Sequence, residues 1–494
     1  MAFNAQDERQ LDQRGMSVKA VLDQIHQFVN DTHPARLERP CTVGDGILML
    51  NASECISYQQ IFEQSRSRLT IQKLVPSSGA ASRMFKHLYH YSADNISDLT
   101  EEFILSFDRF PFRTLLETEM SRKGLSLAGL RNANEWNRIF DFILGKDGMH
   151  YDDQLKGLVI FHRYGDELCT AFDEHLYEAI AYGKQGDGRC RIHFTLAPQH
   201  QEKVNRYFEE KLRQFEYDHV ELTYSSQDPS TDTLALTLNN EPFRDKYGNL
   251  VFRPSGHGAL IQNLQQLDAD VIFIKNIDNV TTRSRLSETV FYKQILGGVV
   301  VDLRRRIVDL LNRLDSDEQA LDAALEFIQS WFQPGVPLDM NRQQALQYAR
   351  LRLDRPLRVC GMVRNEGEPG GGPFWVKMPG GYISKQIVEK SQVDHTDIQQ
   401  LKILSSSTHF NPVDLVCSIK NRDGVNYQLD QFIDYTSGFV SEKFQQGHVI
   451  KALEWPGLWN GAMALWNTVF VEVPVSTFNP VKTINDLLRP GHQV

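Results

Sequence analysis

Long apolar runs are missing from this sequence. Nothing in it approaches the roughly 18 consecutive apolar residues of a membrane-spanning helix, so a helical span is not expected. The opening stretch, Met1 to Arg14, is polar and carries Asp7, Glu8 and Asp12, unlike a secretory leader. Cysteine is sparse and scattered, at Cys41, Cys55, Cys169, Cys190, Cys360 and Cys417, with no Cys-x-x-Cys pair. That spacing offers neither a zinc knuckle nor a disulfide framework, and it predicts reduced thiols in a cytoplasmic protein. Positive charge is also short: 53 Lys+Arg face 63 Asp+Glu, a net charge of -10, and the one compact basic run is Arg304-Arg305-Arg306. Such a body repels a nucleic-acid backbone, so DNA and RNA are not expected partners. Internal repeats, low-complexity tracts and any Ser-His-Asp or Cys-His arrangement are likewise not evident.

What is present suffices for a large core. Of 494 residues, 41% are hydrophobic and 23% charged, which excludes wholesale disorder. Helical spacing of Val18, Val21, Leu22, Ile25 and Val29 marks a helical segment from about Ser17 to Phe62. Strand-like runs follow at Lys73 to Val75, Leu158 to Phe161, Ile192 to Thr195, Val220 to Thr223 and Val271 to Ile274. Amphipathic helices, Ala171 to Tyr182 and His200 to Phe215, separate them, and a helical insertion occupies about 94–150. This alternation predicts an α/β fold, a doubly wound, mixed but mostly parallel sheet. Leu303 to Phe332 reads as helix, with a capping box of Ser316 and Gln319, ended by Pro334, Pro337 and the loop Glu366 to Pro373. The tail has strands at Phe374 to Val376, Leu415 to Ile419 and Val469 to Val473, then a helix from Val481 to Leu488. The expected organisation is a helical segment 1–70, a nucleotide-binding α/β core 71–335, and a portion 336–494 that completes the sheet and a sugar and phosphate site.

Four stretches could carry chemistry. The turn Ser77-Ser78-Gly79-Ala80-Ala81-Ser82-Arg83 follows a strand, and its small side chains would let backbone N–H groups approach an anion at the start of a helix. Arg83 could fold its planar fork onto phosphate oxygens, although such a turn also serves plain packing. Gly256-His257-Gly258 precedes Asn276-Ile277-Asp278-Asn279 at the end of a buried strand. There a hard carboxylate can hold Mg²⁺ with substrate phosphates, or the segment can be an Asx turn and no more. Gly371-Gly372-Pro373 forms a loop, and Phe478-Asn479-Pro480-Val481-Lys482 places a lysine near a helix start, where it meets a phosphate or only solvent.

Taken in order, these motifs resemble those of UDP-sugar pyrophosphorylases, uridylyltransferases with a GT-A-like fold, over roughly residues 73–490. The chain is more closely similar to an uncharacterised bacterial family of unknown function. The pyrophosphorylase resemblance implies a phosphate cradle at Ser77, Ser78, Gly79, Ala80 and Arg83. It implies a phosphate-contacting lysine at Lys156, with Lys86 as a rival, and a uracil-reading Gln227. Gly256 and His257 would meet nucleoside and sugar phosphate, Asp278 would bind the metal, and Asn276, Gly371, Gly372 and Asn411 would line the substrate side. Val388-Glu389-Lys390-Ser391-Gln392-Val393 resembles the family's Leu-Glu-x-x-Gln-Val, and Lys482 its Pro-Val-Lys lysine, which contacts phosphates during transfer.

The implied reaction joins a sugar 1-phosphate to a nucleoside triphosphate, UTP favoured, with Mg²⁺ as cofactor and pyrophosphate as leaving group. Arg83, Lys156 and Lys482 would then carry transfer by neutralising charge. Three readings stay open: this nucleotidyltransferase, a glycosyltransferase-like enzyme using a nucleotide sugar, and a non-catalytic sugar-nucleotide-binding protein. Only Gly79 remains in the turn, and no proline precedes Lys156, which keeps the third in view.

Overall fold

Apolar strands alternating with amphipathic helices give a mixed α/β structure whose principal strands are mostly parallel. The computed structural model describes residues 3–30, 33–92, 96–215, 217, 219–317, 319–333, 335, 340–368, 370–378, 381–445 and 447–494. Pro334, Pro337 and the start of the insertion at Asp94 lie outside the described residues. No helix among the described residues is long and apolar enough to cross a membrane, and the six cysteines are free and buried.

Two compact units are built from interleaved segments: residues 1–71, 225–273 and 295–473 form the first, and 72–224, 274–294 and 474–494 the second. The expected break at 70/71 falls beside one unit boundary, whereas 335/336 lies inside the first unit. In the first unit, Thr42–Val43, Gly46–Leu48, Asn467–Glu472 and Leu357–Arg364 lie side by side and parallel, with Asp414–Ser418 antiparallel to the last. A separate three-stranded antiparallel sheet orders Leu37–Pro40, Gly372–Lys377 and Ile383–Val388. Short strands thus occupy 37–48, inside the stretch read as helical. Pro34 and Pro40 explain this, since proline withholds the N–H that a continuing helix needs.

In the second unit, Ile71–Pro76, Cys190–Thr195 and Val220–Ser225 lie in that order, the first two parallel from Gln72↔Arg191 to Pro76↔Thr195. The insertion is helical as expected, with helices Asp98–Leu105, Arg113–Arg122, Leu127–Asn132 and Trp136–Leu144. Its aromatic residues fill one core: Phe103 stacks on Phe110 at 4.5 Å, and Trp136 packs against Phe107 and Phe140. Val481, Ile484, Leu487 and Leu488 join the same core, which fixes the last segment of the chain.

Three local expectations are corrected. The run Leu158 to Phe161 gives strand Ile160–Tyr164, which among the described residues pairs only with Glu167–Thr170. Gly165 at φ 61° turns the chain straight back, so the nearest partner is its own continuation. Ser316 does not cap helix Ala320–Trp331; Gln319 is its first flanking residue, and the Gln319 N–H donates to Asp317 Oδ1 at 2.9 Å. The helix expected over Val481 to Leu488 shrinks to a 3₁₀ turn, Ile484–Leu488, because Asp486 Oδ2 accepts the Lys482 and Thr483 N–H groups and holds that approach extended.

Candidate functional site: two ammonium groups on one carboxylate

The second unit brings together three residues that are far apart in sequence. Asp278 stands just beyond the buried strand Val271–Lys275. Its backbone carbonyl accepts the Val481 N–H at 3.0 Å, Asn279 Oδ1 accepts the Asn479 N–H at 2.9 Å, and Asn279 pairs with Pro480 in an isolated antiparallel bridge. These ties dock the 478–482 segment and lay Lys482 over Asp278. Lys156 arrives from the other side. Its N–H donates to Gly79 O at 3.1 Å, the Ala81 N–H donates to Gln154 O at 2.8 Å, and Ala80 bridges Leu155. Lys156 is thereby returned to the small-residue turn, across the helical insertion. Lys86, the rival, is exposed.

Both ammonium groups converge on one oxygen: Lys156 Nζ lies 2.7 Å and Lys482 Nζ 2.9 Å from Asp278 Oδ2. The Lys156 and Asp278 side chains are 12% and 8% exposed, while that of Lys482 is 56% exposed and open to an incoming group. Burial pushes the Asp278 carboxyl up, but the two ammonium groups outweigh it and hold it below its ordinary value. Burial also lowers Lys156, and Asp278 only partly offsets this. Two ammonium groups share one carboxylate oxygen in a partly dry site, with Asp486 a further negative charge acting on Lys156, and the exposed Lys482 offers a cation to a polyanion. Asp278 Oδ1 is buried without a hydrogen-bond partner among the described residues.

Other expected residues of this unit fare differently. Ser77 is committed elsewhere, since its N–H and hydroxyl both donate to Thr195 O, at 3.1 and 3.0 Å. Ser78, Gly79 and Ala80 are exposed, and a side chain at 79 would meet nothing within 4 Å. The helix expected after them is absent: Ala81–Arg83 is a single 3₁₀ turn, continued by hydrogen-bonded turns. The sideways bond from Ala81 to Gln154 and the burial of Met84, Phe85 and Leu88 in the core override helix formation. With no helix here, the N–H groups of the Ser77 to Ser82 turn gain no helix-terminus charge, and Arg83 is exposed at the end of the 3₁₀ turn. The Asn276 carbonyl takes part in the loop, accepting from Asn279 N–H and from His175 Nε2.

The first unit holds the remaining residues. Gln227 is half-buried, and its Nε2 has no partner among the described residues. Beside it, Asn263 Nδ2 donates to Ser226 O at 3.0 Å. Gly256 needs its glycine, with φ 84°, and Gly258 is pressed on Pro456, whose carbonyl would lie 2.3 Å from an added Cβ. Gly258 thus packs closely against the chain itself. His257 stacks on Trp459 at 4.1 Å, accepts the Leu458 N–H through Nδ1, and lies 3.7 Å from Glu389, whose carboxyl it holds below its usual range. The Gly-His-Gly and Glu-x-x-Gln motifs thus meet. So do Gly371 and Asn411, through an N–H to carbonyl bond of 2.7 Å, while Gly372 opens strand Gly372–Lys377.

Sequence reading missed a buried ion network behind the Asp278 loop. Glu178 binds Lys73 at 3.1 Å and Lys275 at 2.7 Å, all three fully enclosed. His175, one turn earlier, reaches the Asn276 and Ile277 carbonyls. The available signal was charge inside apolar elements, Lys73 within a buried strand and Lys275 at the end of another.

Residues 4–493 match the family described as "Domain of unknown function (DUF4301)". The chain belongs to this family. No curated protein sequence matches it. In structure, this DUF4301 chain is similar to a uridine diphosphate N-acetylglucosamine pyrophosphorylase from Trypanosoma brucei, with TM-score 0.53 and 12% identity, over 98% of this chain and 78% of that one. It is also similar to the UDP-glucose pyrophosphorylase of Leishmania major, at 11% identity and TM-score 0.45, over 99% and 79%. The first likeness establishes a shared fold for the DUF4301 chain.

Proposed function

We propose that this protein is a nucleotidyltransferase that joins a sugar 1-phosphate to a nucleoside triphosphate, UTP favoured, and releases pyrophosphate. One observation carries the reading: Lys156 and Lys482 share Asp278 Oδ2 at 2.7 and 2.9 Å, a preformed cationic pair at the end of a buried strand. Transfer brings two anions together, and the demand on the protein is charge neutralisation and alignment, with no nucleophilic side chain required. Lys156, held by the 79–81 turn, would fix the triphosphate; the more exposed Lys482 would follow charge onto the leaving pyrophosphate.

Among the described residues no cluster of three or more His, Cys, Asp or Glu could hold a metal ion. A magnesium ion that keeps most of its waters and takes phosphate oxygens needs only one carboxylate, and the unpartnered Asp278 Oδ1 fits that role. Bound there, Mg²⁺ would supply electrophilic stabilisation of phosphate oxygens. Gln227, with its free amide donor, is assigned the uracil, and His257, Asn276, Gly371, Gly372 and Asn411 the sugar phosphate.

The test is a pyrophosphate-release screen over nucleoside triphosphates and sugar 1-phosphates with Mg²⁺. Release with one pairing is the expected result; no release with any pairing defeats the enzyme reading. Gln227→Ala is expected to erase about tenfold of the preference for uridine over other bases, the worth of one buried hydrogen bond. Equal use of all triphosphates by the unaltered protein removes that role. A second reading, nucleotide-sugar binding without turnover, is favoured by the committed Ser77 donors and the exposed Arg83. Calorimetric binding of a UDP-sugar without release in the screen would select it.

A further inference from the structure

Behind Lys482 lies a buried chain of hydrogen bonds whose proton count is fixed by its ends. Glu174 Oε1 is 2.8 Å from His162 Nδ1 and also accepts the Tyr164 hydroxyl at 3.0 Å. His162 Nε2 is 2.9 Å from His492 Nδ1, and His492 Nε2 is 3.1 Å from the Asn479 carbonyl oxygen. Glu174, His162 and His492 are all buried. The Asn479 carbonyl can only accept, and an ionised Glu174 can only accept. Three bonds in series then require three N–H protons, whereas two neutral imidazoles provide two.

We propose that His162 carries the additional proton, so that Glu174, His162 and His492 form a single-proton relay that clamps Asn479 and positions Lys482 on Asp278. With this proton, His162 donates both to Glu174 and to His492, and His492 donates from Nε2 to Asn479. Without it, one pair of facing atoms becomes lone pair against lone pair. The reach to the site is short: Asn479 also donates to Asn279 Oδ1, and Lys482 follows three residues later.

The surroundings agree. Burial, and next His162, push the His492 imidazolium down to about 3, which leaves His492 neutral as the relay requires. The groups facing the pair are Glu174 from helix Ala171–Gly183, Tyr164 on the strand of His162, and Arg489 ahead of His492. The Tyr164 hydroxyl accepts the Arg283 backbone N–H at 2.9 Å, which leaves its own proton for Glu174 Oε1. The Phe161 ring packs edge-on against His492.

The inference rests on the proposed phosphate role only for what Lys482 does; the relay itself is tested without turnover. On the full chain labelled with ¹⁵N-histidine, with His162→Gln and His492→Gln used for assignment, His162 is expected to be doubly protonated and His492 protonated only at Nε2 near pH 7. Two neutral rings overturn the proposal. Hydrogen exchange of residues 476–488, corrected for its intrinsic pH dependence, is expected to quicken about tenfold once raising the pH removes the relay proton. His162→Gln should exchange at the faster rate throughout, since it lacks the titrating ring. Equal pH dependence in both proteins overturns the clamp, and if the variant does not fold, the proton count of the unaltered protein still decides. Calorimetry with inorganic pyrophosphate should show about tenfold weaker binding by His162→Gln at pH 6. If the unaltered protein binds no pyrophosphate, the functional reading fails while the proton count decides the relay separately.

Discussion

Replacing Asp278 by asparagine is expected to cut magnesium-dependent pyrophosphate release by about a thousandfold, the usual cost of one preorganised electrostatic group. The side chain keeps its size, so the change isolates charge. Lys156 and Lys482 then lose the carboxylate at 2.7 and 2.9 Å, and two ammonium groups are left facing each other with no anion between them. A bound polyanion relieves that repulsion. The same substitution is therefore expected to strengthen metal-free binding of pyrophosphate, measured by calorimetry in a chelator, while turnover collapses. Opposite signs in the two measurements identify a carboxylate that serves the metal and competes with phosphate for the lysines. Unchanged turnover would remove the metal role. The folded Asp278 carboxyl is held low, so its stabilising charge is in place above the unfolded value of 3.8 and is lost as pH falls through the folded value.

The largest expected effect on stability comes from Glu178→Gln. Glu178 is the counter-charge for buried Lys73 and Lys275, and its loss strands two enclosed ammonium groups, a destabilisation of about 3–5 kcal/mol by denaturant unfolding. Replacing Lys73, Glu178 and Lys275 together with apolar residues of similar volume should cost less than the single change, because these three charges and their desolvation disappear and only buried Lys293 is left without that carboxylate. A single variant as stable as the parent would show that the lysines lose their protons instead. Two pH effects of opposite origin follow. Burial pushes the Glu178 carboxyl up, but Lys275 and then Lys73 hold it well below 4.5, so its contribution is present above that value and lost as pH falls through the folded value. Burial lowers Lys73 to about 8 from 10.5, so the unfolded chain binds more protons across that window and stability rises with pH there.

The residues differ in how much of this could be read from sequence. The continuous apolar run at Val271 to Ile274 could only be a covered strand, and the residues after it had to leave at a strand end. That much placed Asp278. Lys482 could be read as a phosphate or solvent lysine and Lys156 only through resemblance; their meeting on Asp278 was not legible, because the contacts that bring them in, Asn279 with Asn479 and Gly79 with Lys156, span 200 residues in one case and cross a helical insertion in the other. The turn at Ser77 to Arg83 misled for a physical reason: Met84, Phe85 and Leu88 have helical spacing, yet the Ala81 N–H goes to Gln154 and the backbone closes into i to i+3 turns. The His162 and His492 pair left no mark in sequence, since each is a lone histidine until the fold joins them.

The docking of the 478–482 segment has a consequence for synthesis. A ribosome releases the chain from its amino end. Asp278 is thus made 204 codons before Lys482, and Lys156 a further 122 codons earlier. During that interval the nascent carboxylate meets a single ammonium group, and the charge balance there is neutral. Only the arrival of Lys482 adds the second ammonium group, so a product truncated before residue 478 is expected to lack it.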